Sequence, residues 1–208
     1  MRRRSLLAAA TALVLVAIAV TVWLTQRGGD APAPRATPTA APSTTATPAR
    51  DECTEAASRP FTPTSVTLSD RRYRVLALPR DGRNVPGVPP LTAAGRSEVA
   101  WDRPPGIKPG SSRGNVLLNA HTWPDGSALG NRLLRSLHRG DRIVVHGRSA
   151  TQCYEVTRRI EVRADGDAHG YYDRTGRPQV AIVVCSGERT GPGQWSHRTL
   201  WFAKAIGA

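Results

Sequence analysis

Between residues 66 and 205, short apolar stretches recur with turn residues between them, and sustained helical periodicity is scarce. The stretches 66–68, 73–78, 98–101, 115–121, 142–146, 153–162, 179–185 and 199–205 are rich in Val, Ile, Leu and aromatic residues and predict about eight strands. Asp81-Gly82, Pro109-Gly110, Asp125-Gly126, Arg139-Gly140-Asp141 and Thr175-Gly176 punctuate them as turns. So many short strands expose edges unless the sheet closes on itself, so the expected fold is mainly β, a closed or nearly closed barrel. One or two short helices are all the pattern allows. The clearest covers 128–137, where Leu129, Leu133, Leu134 and Leu137 share a face. Residues 84–95, with their prolines and glycines, read as an irregular loop, and no internal repeat is visible.

Two segments precede this domain. Arg2, Arg3 and Arg4 lead into an uncharged run from Leu6 to Leu24. As a helix that run spans roughly 28 Å, the hydrocarbon thickness of a bilayer. No small-x-small cleavage site follows it, Trp23 stands where an interfacial aromatic would, and the arginines belong on the cytoplasmic side. Residues 1–25 are therefore expected to be an uncleaved transmembrane anchor with the rest of the chain outside. Residues 26–58, rich in Pro, Ala and Thr, have little to bury and read as a disordered or polyproline-like linker. The folded domain is then 59–208.

The chain carries a net charge of +13. Residues 1–50 hold six arginines and one aspartate, which leaves +8 on the domain. Such a balance suits nucleic acid, but an external domain does not meet it. Anionic wall polymer, lipid headgroups or plain solvation are the partners of that charge. No histidine or carboxylate cluster has metal-ligand spacing, so neither a metal nor a cofactor is expected.

Of three cysteines, an exported domain can oxidise one pair, and the residue left over is a candidate reactive thiol. Cys185 has the company a nucleophile needs, so Cys53 and Cys153 are the expected disulfide. Cys185 ends the apolar stretch 179–185, Arg198 precedes the stretch 199–205, and His121 ends 115–121. A thiol, an imidazole and a guanidinium at strand termini can meet at one rim of a sheet. An unperturbed thiol is only a few per cent ionised at neutral pH and needs a cation beside it. Imidazole can protonate a departing amine. Guanidinium can donate to an oxyanion without losing its charge. Together they are the material for thiol acyl transfer. The loops after the thiol and the imidazole, 186–197 and 122–130, are placed to select a substrate.

Gly114-Asn115 followed by His121, then Leu134-x-x-Leu137-x-x-Gly140-Asp141-x-Ile143, then Ile182-Val183-Val184-Cys185 and Arg198, resemble in order and spacing a sortase. Sortases are the membrane-anchored cysteine transpeptidases of Gram-positive surfaces, and the nearest types are the actinobacterial class E and class F enzymes. Val184 stands where the family usually has Thr, and Ala120 where it commonly has Gly. The resemblance implies an eight-stranded sortase-like β-barrel with Cys185 as nucleophile, His121 as general acid and then base, and Arg198 as oxyanion or substrate anchor. Val184, Ser186, Thr122 and Trp123 are the accompanying substrate-binding positions. It implies as partners a Leu-Pro-x-Thr-Gly-like or Leu-Ala-x-Thr-Gly-like sorting peptide and an amine acceptor, from a cell-wall precursor or a pilin lysine. Two other readings compete. An L,D-transpeptidase would carry its cysteine within a Ser-His-Gly-Cys-like loop, which Ser196-His197-Arg198 does not provide. A non-catalytic wall-binding barrel would leave Cys185 as an ordinary core residue.

Overall fold

The computed structural model describes Cys53, residues 57–103 and residues 106–207. The expected anchor over 1–25 and most of the expected linker lie outside these residues. Among the described residues no helix is long and apolar enough to cross a membrane.

The strands are β1 (Ser65–Leu68), β2 (Arg71–Leu78), β3 (Val99–Asp102), β4 (Asn115–Ala120), β5 (Arg142–His146), β6 (Thr151–Arg163), β7 (Gln179–Gly191) and β8 (Gln194–Ala205). They close into a barrel in the order β1-β2-β3-β4-β7-β8-β6-β5, with β5 returning to β1. Closure gives every strand a partner on both sides, which removes the edges that open sheets must protect. Six of the eight neighbour pairs are antiparallel, while β2–β3 and β4–β7 are parallel. A parallel pair needs a crossover. Residues 79–98 supply the first, and β5, β6 and the α-helix α1 (Leu129–Ser136) lie within the second.

Side chains alternate across the barrel wall. Val116, Leu118, Val180, Ile182, Val184 and Trp201 face inward and join one interior cluster. α1 packs into it through Leu129 and Leu133, and Leu137 beyond its end accepts the Trp201 indole N–H at 2.9 Å. The intervening residues Leu117, Ala181, Leu200 and Phe202 form a second cluster on the opposite face, covered by Tyr171. This cover is held from two sides. Asn115 donates to the carbonyls of Gly170 and Tyr171, and the Tyr171 hydroxyl donates to the Leu118 carbonyl.

Strand ends differ from the sequence reading in one consequential place. β7 and β8 do not stop at Cys185 and Arg198 but continue as a two-stranded ribbon through Gly191 and Gln194, interrupted by bulges. Residues 187–190 are exposed on both faces, so no apolar alternation announces them; the backbone ladder alone carries the extension. Much of the expected loop over 186–197 is therefore hairpin. A second unannounced feature is the β1–β2 turn, where Ser69 and Asp70 both take positive φ as a type I′ turn requires.

Cys53 and Cys153 are joined by a disulfide across 100 residues of chain, which ties the segment before β1 to β6. Constraining so long a loop in the unfolded chain stabilises the fold by roughly 4–5 kcal/mol. The double substitution Cys53→Ala/Cys153→Ala should lower the unfolding free energy by about that much in chemical denaturation without reductant. A loss below about 1 kcal/mol would show that the crosslink does not constrain the unfolded ensemble.

Candidate active site

Three ladders decide where the chemical side chains lie. In the parallel β4–β7 pair, Ala120 sits opposite Val184, so His121, the next residue, comes alongside Cys185. In the antiparallel β7–β8 pair, Cys185 sits directly opposite Arg198. In the β6–β8 pair, Arg198 faces Val162. Neighbouring strands lie about 4.8 Å apart. His121, Cys185, Arg198 and Val162 thus form one row across four positions of the outer wall. The row beneath it is Asn119, Val183, Leu200 and Ile160.

All of these residues except Ile160 line a cavity of about 470 Å³. Its floor is Asn119, Val183, Leu200 and Val162. Val85, Pro86 and Val88 of the β2–β3 loop form one wall, and Ala168, Tyr171 and Tyr172 of the β6–β7 loop form the other. His121, Cys185 and Arg198 all line it. One end is thus polar and cationic, while the walls are largely apolar, with Arg163 and Asp167 as charged residues on the β6–β7 side. Val85, Val88 and Tyr172 are among the few large hydrophobic side chains left exposed. Apolar surface kept beside a polar end suits a ligand with both characters.

A buried ion pair holds the two walls. Arg80, just after β2, donates through Nη2 and Nε to Asp102 at 2.6 and 3.0 Å, and the Asp102 side chain is 1 % exposed. The carboxylate holds the Arg80 guanidinium above its ordinary pKa. The same guanidinium donates to Asn84, beside Val85, and stands 5.9 Å from the ring centre of Tyr172. Breaking such a pair from one side strands a buried charge and costs about 3–5 kcal/mol. The charge pair thus braces both cavity walls, beside the hydrogen bonds that hold them elsewhere, and carries no chemistry of its own.

Each chemical side chain has a defined setting. Cys185 is the free thiol among the described residues and is half-buried. Burial pushes its pKa up, and the Arg198 charge pulls it part of the way back. The Cys185 carbonyl accepts the Thr122 hydroxyl at 2.6 Å, which ties the segment after β4 to β7. The His121 carbonyl accepts the Gly130 N–H at 2.7 Å, and a Cβ on Gly130 would stand 2.5 Å from that carbonyl oxygen, so α1 can approach only through a glycine. The His121 ring gives its Nε2 to the carbonyl of Pro89. Among the described residues no hydrogen bond joins His121 to Cys185. Arg198 uses Nη1 on the carbonyls of Trp195 and His197, which fixes the plane of the guanidinium and leaves its other N–H groups for a ligand.

The four positions expected to touch substrate lie differently. Val184 borders the cavity, but its side chain is 2 % exposed in the interior cluster. Ser186 is buried as well, as period-2 alternation from Cys185 demands. Thr122 is spent on the Cys185 carbonyl. Trp123 is clamped by Asn131 through two hydrogen bonds and backed by Arg96 at 4.4 Å, off the cavity lining. The lining residues that the sequence reading passed over fall in two groups. Alternation from Cys185 and Arg198 could have found Val183, Leu200 and Asn119. Nothing local marks Val85, Val88 or Tyr172. No group of three His, Cys, Asp or Glu side chains among the described residues could hold a metal.

Because Arg198 favours the thiolate, Arg198→Gln should raise the pH midpoint of Cys185 alkylation by iodoacetamide. A midpoint that stays put or falls would mean that the guanidinium does not act on the thiol.

The family model for the sortase domain matches residues 88–206. Among solved structures, the chain is similar to sortase C1 of Streptococcus agalactiae in complex with MTSET, at 18% identity and a TM-score of 0.51, covering 69% of each chain. It is also similar to sortase C1 of Streptococcus suis, at 17% identity and a TM-score of 0.50, covering 70% of this chain and 73% of that one. No curated protein matches the chain. These two structures share its barrel fold, and the domain match extends over more than half its length: the chain belongs to the sortase family.

Proposed function

We propose that this sortase-type transpeptidase is a membrane-anchored enzyme that cleaves the C-terminal sorting signal of surface proteins, of Leu-Pro-x-Thr-Gly or Leu-Ala-x-Thr-Gly type. In this reading the acyl group passes through a thioester on Cys185 to an amine of the cell wall or of a pilin lysine. In this reading it is an enzyme of the actinobacterial class E or class F type. The uncharged run from Leu6 to Leu24, preceded by three arginines, supports a cytoplasmic N-terminus and an extracellular domain. The observation that carries the chemistry is the single row of His121, Cys185 and Arg198 along one cavity.

The roles follow from the settings. A proton passes from the Cys185 thiol to His121, giving thiolate and imidazolium. Burial keeps that charge-separated form a minor population, and Arg198 opposes the penalty. The thiolate attacks a peptide carbonyl. As negative charge gathers on its oxygen, the free N–H groups of Arg198 receive it. His121 returns the proton to the leaving nitrogen as the C–N bond breaks, which leaves the thioester. An incoming amine then attacks the thioester carbonyl and gives its proton to His121. The new C–N bond forms as the C–S bond breaks, and the departing Cys185 thiolate takes the proton back from His121, while water in place of the amine gives hydrolysis. The cavity walls take the apolar side chains of the signal. Thr122 holds the Cys185 backbone in register rather than reading the substrate.

Incubation with fluorogenic sorting peptides, with and without an amine acceptor, tests this. The wild type should release the reporter and, with acceptor present, form the ligated product. Cys185→Ala should lose both activities by at least about a thousandfold. Turnover retained in Cys185→Ala would refute the assignment.

A further inference from the structure

The β2–β3 loop crosses β4 in register. Asn119 and His121 lie two residues apart on the outer face of the chain, and each gives one side-chain N–H to the loop. Asn119 Nδ2 donates to the Gly87 carbonyl at 2.9 Å, and His121 Nε2 donates to the Pro89 carbonyl at 2.5 Å. The acceptors too are two residues apart. The spacings match because an extended segment and a strand both advance about 3.3 Å per residue. Extension of the loop is written into its sequence. Pro89 and Pro90 bias the residues before them, Val88 and Pro89, away from helical backbone. Gly87, Val88 and Pro89 therefore form a strap laid along β4.

The strap decides which ring nitrogen of His121 is basic. A carbonyl only accepts, so the nitrogen that meets it carries hydrogen. Neutral imidazole bears one hydrogen, and the lone pair must then sit on Nδ1. The same logic sets the Asn119 amide, whose nitrogen faces the Gly87 carbonyl.

We propose that the strap, held by Asn119, is the positioning element of His121 and makes Nδ1 the nitrogen that exchanges protons in the cleft. This rests on the transpeptidase reading for the role of His121. In the first step the Cys185 S–H bond breaks and an Nδ1–H bond forms, leaving thiolate and imidazolium. In the second, that proton leaves Nδ1 for the departing amine nitrogen as the peptide C–N bond breaks. Nε2–H stays on the Pro89 carbonyl throughout, so the charge that appears on the ring already faces a fixed dipole. Without the strap the ring turns freely and both tautomers are populated. A ring that presents N–H to the thiol cannot take its proton. Asn119 and the strap act through His121 and are positioning groups.

Gly87 allows the strap to be disturbed without changing β4. A Cβ there would stand 2.7 Å from the Pro79 carbonyl oxygen and 2.8 Å from the Leu78 Cβ. Gly87→Val therefore pushes the strap away, while Asn119→Ala releases it from the other side. Full-length chain with ¹⁵N-labelled histidine, at a pH where imidazole is neutral, reports the tautomer directly. Loss of signals in His121→Gln assigns the ring. In the wild type, Nε2 should read as protonated and Nδ1 as bare. In both variants the two signals should converge as the tautomers mix, and kcat for sorting peptides should fall roughly tenfold with KM within about twofold. A wild-type ring with hydrogen on Nδ1, or ring signals that stay put in the variants, would overturn the proposal. The spectra need no turnover. A wild type that cleaves no sorting peptide strikes the transpeptidase reading, while its ring signals still decide the strap.

Discussion

The register of β7 against its two neighbours is the constraint on which the site depends. Parallel pairing with β4 and antiparallel pairing with β8 place His121, Cys185 and Arg198 in one row of the outer wall. A slip of one residue in either ladder would turn one of them into the interior, because side chains alternate at every step. The interior cluster opposes such a slip. Val180, Ile182 and Val184 on β7 and Trp201 on β8 fill the barrel from the same ladders, and a shift would expose them. Fixing the core and fixing the site are thus one act of packing. The chemistry occupies the face that the core does not use.

The electrostatics of the row pull in opposite directions. Half-burial disfavours the thiolate, while the Arg198 charge favours it, and burial is the larger effect. A site balanced in this way holds Cys185 on the thiol side, which limits its stray oxidation. The rest of the cavity is held by charge without using charge for chemistry. Arg80 and Asp102 brace the loop of Val85 on one side and Tyr172 on the other.

How much of this is legible from the amino-acid sequence depends on the range of the interaction. The barrel is, because apolar stretches and turn residues are local signals, and the helix is, because four leucines mark its face. The grouping of His121, Cys185 and Arg198 follows from motif order, which the resemblance to sortases made readable. The cavity walls do not. Val85, Val88 and Tyr172 sit in irregular loops held by contacts between residues far apart in sequence: the Arg80–Asp102 ion pair and the hydrogen bonds of Asn119 and His121. The substrate-binding positions expected beside Cys185 alternate with it along the strand, so the side chains of Val184 and Ser186 are buried. The extension of β7 and β8 was hidden for a different reason. Exposed polar residues pair through their backbones there and leave no hydrophobic pattern.

The whole account requires that acyl transfer pass through the sulfur of Cys185. The most direct measurement is mass spectrometry of the intact chain and its peptides after brief mixing with a sorting peptide and no amine acceptor. The account predicts an adduct of the peptide's N-terminal fragment on the segment containing Cys185, released by hydroxylamine and transferred when an amine is added. Cleavage of the peptide with no adduct, or with one on another residue, would contradict it.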